Sequence, residues 1–378
     1  MSILRSPDHL TDEQKDIIDF CINADEHLYI EGPPWSGKLL TCLYGLQGVV
    51  EKNNSKLLFM VSNNAMYGYM NMALRELKID ESVRIVSKND LFWKIAGDNW
   101  VSVNLDSDYH DNYDRILTKL LEMELELKYD LVVVSEVQHY LPKEWELIKR
   151  IAQRVVCYGD FKQAVYKGKV KKGVVLSDCV HKKLSYCYDD LSTTRLLKVR
   201  EHFFDDGERM EVGDECETEL TGDNGVFDMD VGYHVLDVRY EDEFKIIAET
   251  INKLKEEEGR VAVICPNNNR FVELSIYLEG SGIEHYNYGI NNELREHDFS
   301  STTPLFLSVF NAEGLQFDHV ILFGFDEFNY IVKMKRREVI LKNVLYVALT
   351  RARKSTYIIR HDHTVDVLKE FTKWVVDH

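Results

Sequence analysis

The fold of this chain is decided by the stretch Ile30–Leu39, IEGPPWSGKL, which follows the apolar run His27–Ile30. Gly32, Gly37 and Lys38 fit the phosphate-loop pattern GxxxxGK[ST] up to its last position. In such a loop, backbone N–H groups and the N-terminus of the next helix surround phosphate oxygens, and the lysine adds a positive charge. The stretch therefore predicts a strand, a phosphate-binding loop and a helix. The plainer alternative is a strand-to-helix turn that carries a lysine by chance.

The other positions of this loop refine the prediction. The residues between the glycines are expected to line the phosphates, and they are Pro33, Pro34, Trp35 and Ser36. Trp35 either stacks on a base or caps the loop. The pattern normally ends in Ser or Thr, whose hydroxyl binds Mg²⁺, but Leu39 occupies that position and offers no oxygen. We therefore expect ATP as the ligand, with weak or absent binding of Mg²⁺.

Length and composition are those of an ordinary globular protein. The 378 residues suggest two domains. The net charge of −18 gives no support for a basic nucleic-acid-binding module, although one local positive groove would suffice for a strand. There is no bilayer-spanning apolar run, no signal-peptide core in Met1–Asp8, and no CxxC pair among the seven cysteines. We expect a cytoplasmic protein with reduced thiols and no membrane partner, and a nuclear location stays open.

Alternating apolar runs and helical spacing predict the architecture of the first half. Its predicted strands are 27–30, 56–62, 83–87, 129–138 and 155–163, with helices at 39–50 and 89–95. Runs that are apolar on both faces belong in a parallel sheet, whose ligands lie at the carboxyl ends of the strands. The segment Asn99–Asp114 is acidic and polar, and we expect it to be irregular.

The second half repeats the pattern after a change in composition. Phe204–Asn224 is rich in Asp, Glu and Gly, which predicts a linker or an exposed acidic loop. Strands are then predicted at 234–238, 261–265, 305–309, 320–323 and 356–359, with helices at 242–256 and 270–278. We therefore predict a first α/β domain over residues 1–203, an acidic linker over 204–228 and a second α/β domain over 229–378.

A helix one element before the loop carries a candidate base reader. Thr11 is a predicted N-cap, and Gln14 follows it by three positions. The amide of Gln14 offers a donor and an acceptor together, which the edge of adenine requires. The alternative is an ordinary helix start at the surface.

The ordered set of motifs resembles superfamily 1 helicases of the UvrD-like branch, in a compact form with altered Walker A and Walker B motifs. The matching segments, in chain order, are Leu10–Gln14, Gly32–Lys38, Ser62–Ala65, Val134–Gln138, Gly159–Gln163, Arg200, Ala312–Asp318 and Tyr346–Arg353. Together they extend over nearly the whole chain. The resemblance implies two RecA-like P-loop NTPase domains with mainly parallel sheets, minimal insertions and a nucleotide in the cleft between them.

The resemblance also implies roles for individual residues. Glu136 would activate the attacking water, and Gln163 would sense closure of the cleft. Arg200 and Arg351 would reach the γ-phosphate and neutralise charge on the transferred group. Gln316 would bond a ribose hydroxyl. The alternative for Arg351 is a surface ion pair.

Two departures concern the metal. In the family, Mg²⁺ is held by a phosphate-loop hydroxyl and by the aspartate of the second motif, and this chain has Leu39 and Ser135 there. A neutral serine is a poor replacement for a carboxylate as a Mg²⁺ ligand. We expect phosphate binding through Lys38 with hydrolysis absent or greatly slowed.

Other departures concern nucleic acid. Glu313 and Phe310 replace basic or hydrogen-bonding residues of the family, so a single strand is expected to bind weakly. The short stretch between Cys265 and Ser308 leaves no room for the family's large insertion. We therefore do not expect processive unwinding by this chain alone. The basic clusters Lys167–Lys172 and Lys333–Arg337 indicate solvated surface, with base stacking by aromatic neighbours of the second cluster as the alternative.

Three functions remain open at this point. The first is a helicase-like pseudo-enzyme that binds nucleotide and acts as a switch or scaffold for a protein partner, such as another catalytic subunit. The second is a working ATP-dependent DNA or RNA translocase. The third is an interaction module that binds neither ATP nor nucleic acid.

Overall fold

The computed structural model describes residues 3–52, 56–103, 106–185, 196, 199–204, 232–288, 292–326 and 339–377. The chain divides into two compact units: Met1–Ala164 with Gly168–Leu184, and Val165–Lys167 with Ser185–His378. Arg200 belongs to the second unit in this division. Most of the predicted acidic linker, and the basic cluster Lys333–Arg337, lie outside the described residues. The predicted domain limits stay predictions.

The first unit is built on a parallel sheet of six described strands in the order β3-β2-β4-β5-β1-β6. The strands are β1 Leu28–Glu31, β2 Leu57–Val61, β3 Val83–Ser87, β4 Tyr129–Val134, β5 Ala152–Gly159 and β6 Val180–Lys183. All five residues of β2 are buried, as expected for a strand with neighbours on both sides and apolar packing on both faces. Since every pairing is parallel, the carboxyl ends of β1, β4 and β5 share one edge.

Seven helices of the first unit are described. They are α1 Asp12–Asn23, α2 Lys38–Lys52, α3 Asn64–Glu76, α4 Lys88–Asp98, α5 Tyr109–Glu122, α6 Pro142–Ile151 and α7 Lys172–Asp178. Side chains set where several of these helices begin. Thr11, Asn63, Ser87 and Asp108 each accept a hydrogen bond from a backbone N–H in the first turn of the helix that follows. One face of the sheet forms an apolar core with α4, α5 and α6, centred on Phe92, Leu117 and Trp145.

The second unit has a parallel sheet of five described strands in the order β7-β11-β10-β8-β9. The strands are β7 Tyr233–Asp237, β8 Val261–Cys265, β9 Leu305–Ser308, β10 Phe317–Leu322 and β11 Ala352–Arg360. Its labelled helices are α8 Glu243–Leu254, α9 Asn268–Gly280, α10 Val309–Ala312, α11 Leu341–Leu349 and α12 Asp366–Asp377. The sheet packs against α8 and α9 through a core that includes Ile247, Phe271 and Phe323.

Two mainly parallel sheets with intervening helices confirm the predicted α/β class. One local expectation was wrong: the acidic segment Asn99–Asp114 is not irregular throughout, because α5 begins at Tyr109. Asp108 caps that helix, and Tyr113, Ile116, Leu117 and Leu120 bury one face of it. The aspartates obscured this helical spacing. Within the part of the chain that the structure describes, every helix is too short or too polar to span a bilayer.

Candidate functional site

The predicted phosphate loop runs from the end of β1 to the start of α2. Ser36 closes it twice, donating its backbone N–H (3.4 Å) and its hydroxyl (2.8 Å) to the carbonyl of Pro33. Trp35 (φ 71°) and Gly37 (φ 79°) are both in the left-handed region. A bulky residue is rarely found there, and the side chain of Trp35 is buried. Its role, stacking on a base or capping the loop, stays a prediction.

Lys38 lies inside this loop. Its ammonium donates to the carbonyl oxygens of Gly32 and Pro33, each at 2.7 Å, and the residue is only 7% exposed. The positive charge also acts on Asp160 and Cys42, whose pKa values it lowers against the larger opposing effect of burial. The lysine is therefore placed at the carboxyl edge of the sheet, beside the end of β5.

Gln14 ties α1 to the same loop. Its side-chain oxygen accepts the backbone N–H of Thr11 at 3.2 Å, and its side-chain nitrogen donates to the carbonyl of Ser36 at 3.4 Å. The residue is 1% exposed, so it does not belong to a helix start at the surface. The structure places Gln14 next to the loop, and its reading of adenine stays a prediction.

Glu136 follows β4, the strand that lies next to β5 in the sheet. It is buried and adopts a left-handed backbone conformation (φ 50°), which is strained for a residue with a side chain. Its carboxylate accepts a hydrogen bond from the side-chain nitrogen of Gln138 at 2.7 Å. Gly159 makes that arrangement possible, because a Cβ atom there would lie 2.1 Å from the side-chain oxygen of Gln138. The geometry holds the carboxylate in one place.

Ser135, predicted to stand at a degenerate metal position, follows directly after β4. Its side chain is fully buried, and its hydroxyl completes no hydrogen bond of standard geometry with the described residues. The same holds for the hydroxyl of Tyr158, which lies beside it. Burial raises the pKa of Tyr158, and the negative charge of Glu136 raises it further.

The magnesium positions do not fit the metal. Leu39 has no ligand atom, and the Thr41 hydroxyl, two residues further on, donates to the carbonyl of Gly37 at 2.9 Å. Among the described residues, no group of three His, Cys, Asp or Glu side chains is arranged to hold a metal ion. A leucine and a buried neutral hydroxyl are a poor donor set for a hard cation that prefers oxygen anions.

Asp160 and Gln163 follow β5. One carboxylate oxygen of Asp160 accepts the backbone N–H of Lys162 at 2.9 Å, and the other accepts the side chain of Gln163 at 3.3 Å. Burial raises the pKa of Asp160, while Lys38 acts in the opposite direction. The sequence motif contained Asp160, but no role followed from the sequence. The burial of Asp160 beside Lys38 now makes it a candidate for orienting Gln163.

The second unit carries its own predicted residues. Arg351, between α11 and β11, donates to the carbonyls of Val347 (2.8 Å) and Leu315 (3.2 Å) and to the hydroxyl of Thr350 (2.9 Å). It is 3% exposed, which does not fit a surface ion pair. Gln316 directly precedes β10, and Phe317 pairs with Ala352, so Arg351 and Gln316 share the amino-terminal edge of this sheet.

Other predicted residues of the second unit lie elsewhere in it. Arg200 is buried in a short helical stretch at 199–203. Glu313 is also buried, and the ring of Phe310 stacks on Tyr166 at 5.4 Å. The structure thus brings Gln14, the loop, Glu136 and Gln163 to one edge of the first sheet, and Arg351 and Gln316 to one edge of the second.

The prediction of a solvated basic cluster at Lys167–Lys172 was only partly right. Lys172 makes an ion pair with Glu31 at 2.5 Å, just before the loop. Burial, and then the charge of Lys88, lower the pKa of Lys169 to about 8. Lys169 and Lys172 are therefore only partly exposed, whereas Lys167 and Lys171 are exposed.

Comparison with known proteins finds a matching family profile within the second unit. Residues 305–359 match the sequence profile of the UvrD-like helicase C-terminal domain. This match spans β9, β10 and most of β11, with Gln316 and Arg351 inside it. It confirms the predicted resemblance to UvrD-like superfamily 1 helicases over this part of the second unit. The comparison with curated proteins found no match.

Solved structures of helicases resemble the chain at low identity. The structure of PRRSV helicase is 11% identical, with a TM-score of 0.42, and the match covers 91% of this chain and 53% of that one. The C-terminal domain of a possible DNA helicase from Lactobacillus plantarum WCFS1 is 14% identical, with a TM-score of 0.34, covering 48% and 94%. The chain thus spans about half the length of the PRRSV helicase structure.

Proposed function

We propose that this chain is a helicase-like nucleotide-binding protein that holds ATP at the phosphate loop and hydrolyses it slowly or not at all. The carrying observation is the contrast at one strand edge. Lys38 lies buried in a closed loop, with its ammonium on two carbonyl oxygens at 2.7 Å. Leu39 and Ser135, at the metal positions, supply no anionic oxygen.

The loop would bind the phosphate tail. Lys38 would exchange its contacts with the carbonyls of Gly32 and Pro33 for phosphate oxygens, which carry more negative charge. The N-terminus of α2, which starts at Lys38, would direct its backbone N–H groups to the same oxygens. Gln14, bonded to the loop at Ser36, would sit beside the base.

Hydrolysis would be slow because too few positive groups are fixed near the phosphates to stabilise the negative charge that develops there in the transition state. Glu136 is present and held by Gln138, so a base for the attacking water is not what the site lacks. In related reactions a metal ion supplies part of the positive charge that neutralises the developing negative charge. The residues at 39 and 135 do not fit such an ion, and no step is assigned to one.

The second unit would supply positive charge to the phosphates. Arg351 and Arg200 are the proposed arginines, and Gln316 is the proposed ribose contact. Arg351 donates to neutral oxygens of Val347, Leu315 and Thr350, and an anionic phosphate is a stronger acceptor than any of these. Gln163, tied to Asp160, would report the nucleotide state to a weakly held single strand or to a protein partner.

An active DNA or RNA translocase is the second candidate, and the buried Glu136 is the observation in its favour. A module that binds neither ATP nor nucleic acid is the third.

The buried thiols Cys21, Cys42, Cys157 and Cys265 support the proposal of a reducing compartment, the cytoplasm or the nucleus.

A titration with a fluorescent ATP analogue, with EDTA or with Mg²⁺, followed by phosphate release, separates these functions. Our proposal predicts binding that is equal with and without the metal, lost in Lys38→Ala and unchanged in Lys15→Ala, an exposed lysine of α1. Phosphate release stimulated by oligothymidine or oligouridine and abolished by Glu136→Gln would favour the translocase. Absence of binding under both conditions would favour the interaction module.

A further inference from the structure

Three of the described helices end in the same backbone motif, and in two of them the left-handed residue is not glycine. At the end of α9, Gly282 (φ 68°) donates to the carbonyl of Glu279, and Ile283 donates to Leu278. This pair of bonds satisfies the last carbonyls of a helix, and it needs a left-handed residue, normally glycine.

The ends of α3 and α4 repeat these bonds without glycine. Lys78 (φ 59°) takes the left-handed position after α3, with bonds from Lys78 to Arg75 and from Ile79 to Leu74. After α4 the left-handed residue is Trp100 (φ 56°), with Trp100 bonded to Gly97 and Val101 to Ala96. Lys78 and Trp100 are both strained in this backbone conformation. The tryptophan also has an unfavourable solvent exposure.

Trp100 exposes a large apolar ring to solvent. Trp100 is 93% exposed, although Val101 beside it packs on the core of the unit and fixes the backbone. A tryptophan both strained and solvated does not serve the stability of this helix end. Exposed aromatic rings of this kind are enriched where proteins bind other proteins.

Aromatic residues of α4 and of the adjacent helix α5 contact one another. The indole nitrogen of Trp93, on α4, donates to the hydroxyl of Tyr109 at 3.3 Å, and the ring of Tyr109 stacks on Tyr113 at 6.0 Å. Tyr113 is anchored in turn by its hydroxyl, which donates to the buried Glu144 at 2.6 Å. The outer ring, Tyr109, is 49% exposed.

The charge of this surface is negative. Between residues 98 and 114 the sequence has five aspartates and no lysine or arginine. All five are exposed: Asp98, Asp106, Asp108, Asp111 and Asp114. At the margins, Lys94 of the same helix and Lys128 pair with Asp98, and Lys143 pairs with Asp114. Phosphates of a nucleic acid would be repelled here, whereas lysine and arginine side chains would find both carboxylates and aromatic faces.

We propose that the surface formed by Trp93, Trp100, Tyr109, Asp106 and Asp111, the Trp100 face, docks a basic, partly apolar segment of another protein. The ring of Trp100 takes the apolar or cationic anchor, and the aspartates pair with flanking lysines and arginines. This site is independent of the phosphate loop, so it does not rest on the proposed nucleotide function.

Fluorescence anisotropy with defined probes tests this site. The probes are a short peptide that alternates Lys or Arg with Leu, its Glu-for-Lys/Arg version, its Ser-for-Leu version, and oligothymidine of matched length. We expect the basic apolar peptide to bind the full chain, and Trp100→Gly to weaken it about tenfold or more. The pair Asp106→Asn with Asp111→Asn should weaken it about threefold and reduce its salt dependence.

Matched variants separate docking from folding and from bulk charge. Lys78→Gly makes the same backbone change at the end of α3, Ile276→Ser removes an exposed apolar residue of the second unit, and Glu249→Gln removes an exposed charge. All three should bind the peptide as the wild type does. Trp100→Gly and Lys78→Gly should both raise or retain the thermal unfolding midpoint, so lost binding would not mean lost structure.

Several results would overturn the proposal. These are equal peptide binding by wild type and Trp100→Gly, equal binding of the Glu-containing peptide, and no peptide binding at all. Oligothymidine binding that Trp100→Gly abolishes would assign the surface to nucleic acid instead.

Discussion

The candidate site of the first unit has two halves that differ sharply, a predicted phosphate half and a predicted metal half. The phosphate half, Gly32–Lys38, has its turn closed by Ser36 and its lysine enclosed. The metal half consists of Leu39 and Ser135, one without a ligand atom and one with a buried hydroxyl that makes no hydrogen bond of standard geometry among the described residues. The loop and Ser135 follow the largely buried strands β1 and β4, and Leu39 lies in the first turn of α2, so the difference lies in side-chain chemistry and not in folding.

This contrast teaches that the two tasks of such a site are separable. Phosphate recognition depends mainly on backbone N–H groups and one cation, which a well-formed loop supplies. Metal recognition depends on particular oxygen anions at fixed positions, and single substitutions remove them. The following predictions test the contrast from the largest expected effect to the smallest.

Replacing the lysine tests the phosphate half. We expect Lys38→Ala to lower ATP affinity about 100-fold or more, because a charge-assisted contact to phosphate is lost in a buried setting. Isothermal titration with ATP in EDTA measures this effect. An affinity within about threefold of wild type would show that the loop does not bind phosphate.

A single methyl group tests how firmly Glu136 is held. Gly159→Ala places a Cβ atom 2.1 Å from the side-chain oxygen of Gln138. We expect a loss of about 1–3 kcal/mol in the free energy of unfolding, measured by urea denaturation, because Gln138 must move and releases Glu136. The matched control is Gly97→Ala in α4, where a Cβ atom meets nothing within 4 Å. That control should be neutral or slightly stabilising.

Restoring oxygen ligands tests the metal half. In the double variant Leu39→Thr with Ser135→Asp, Mg²⁺ should tighten ATP binding about tenfold, whereas the wild type should show no metal dependence. Leu39→Thr alone is the control, and it should respond weakly because the carboxylate is still missing. A wild-type chain that already binds ATP more tightly with Mg²⁺ would remove the contrast.

The smallest expected effect is on the pH dependence of the free energy of unfolding. Burial raises the pKa of Asp160, so the folded state holds this proton more firmly than the unfolded state does. The associated stability is therefore present below the unfolded pKa and is lost as pH rises through the folded pKa. Lys38 opposes the shift, so Lys38→Met should raise this pKa further and extend the loss to higher pH.

Urea denaturation between about pH 4 and 7 measures this difference, which should reach on the order of 1 kcal/mol. In the Asp160→Asn background, Lys38→Met should change stability by the same amount at every pH. A pH-dependent difference that persists in that background would mean that another group is responsible.

Much of the architecture could be predicted from local patterns. The apolar runs at 56–62 and 83–87 became β2 and β3 within a residue. β2 is buried at all five positions, whereas β3 lies at the edge of the sheet and exposes Arg84. The helix α5 was not predicted, and its first residues were assigned to an irregular segment, because Asp108 is a helix cap and not a sign of a loop. The basic cluster at Lys167–Lys172 was misread in part, since a charged side chain gives no local sign that Glu31 lies opposite.

The sequence by itself determined the α/β class, the order of the motifs and the chemistry available at each position, including the missing oxygen at Leu39. These are properties of residue type and spacing. Only the tertiary structure decided that Gln14 bonds the loop, that Asp160 is buried near Lys38, and that Trp100 is held outward in a glycine position. Such relations depend on burial and backbone angle between segments far apart in the chain, which no local pattern encodes.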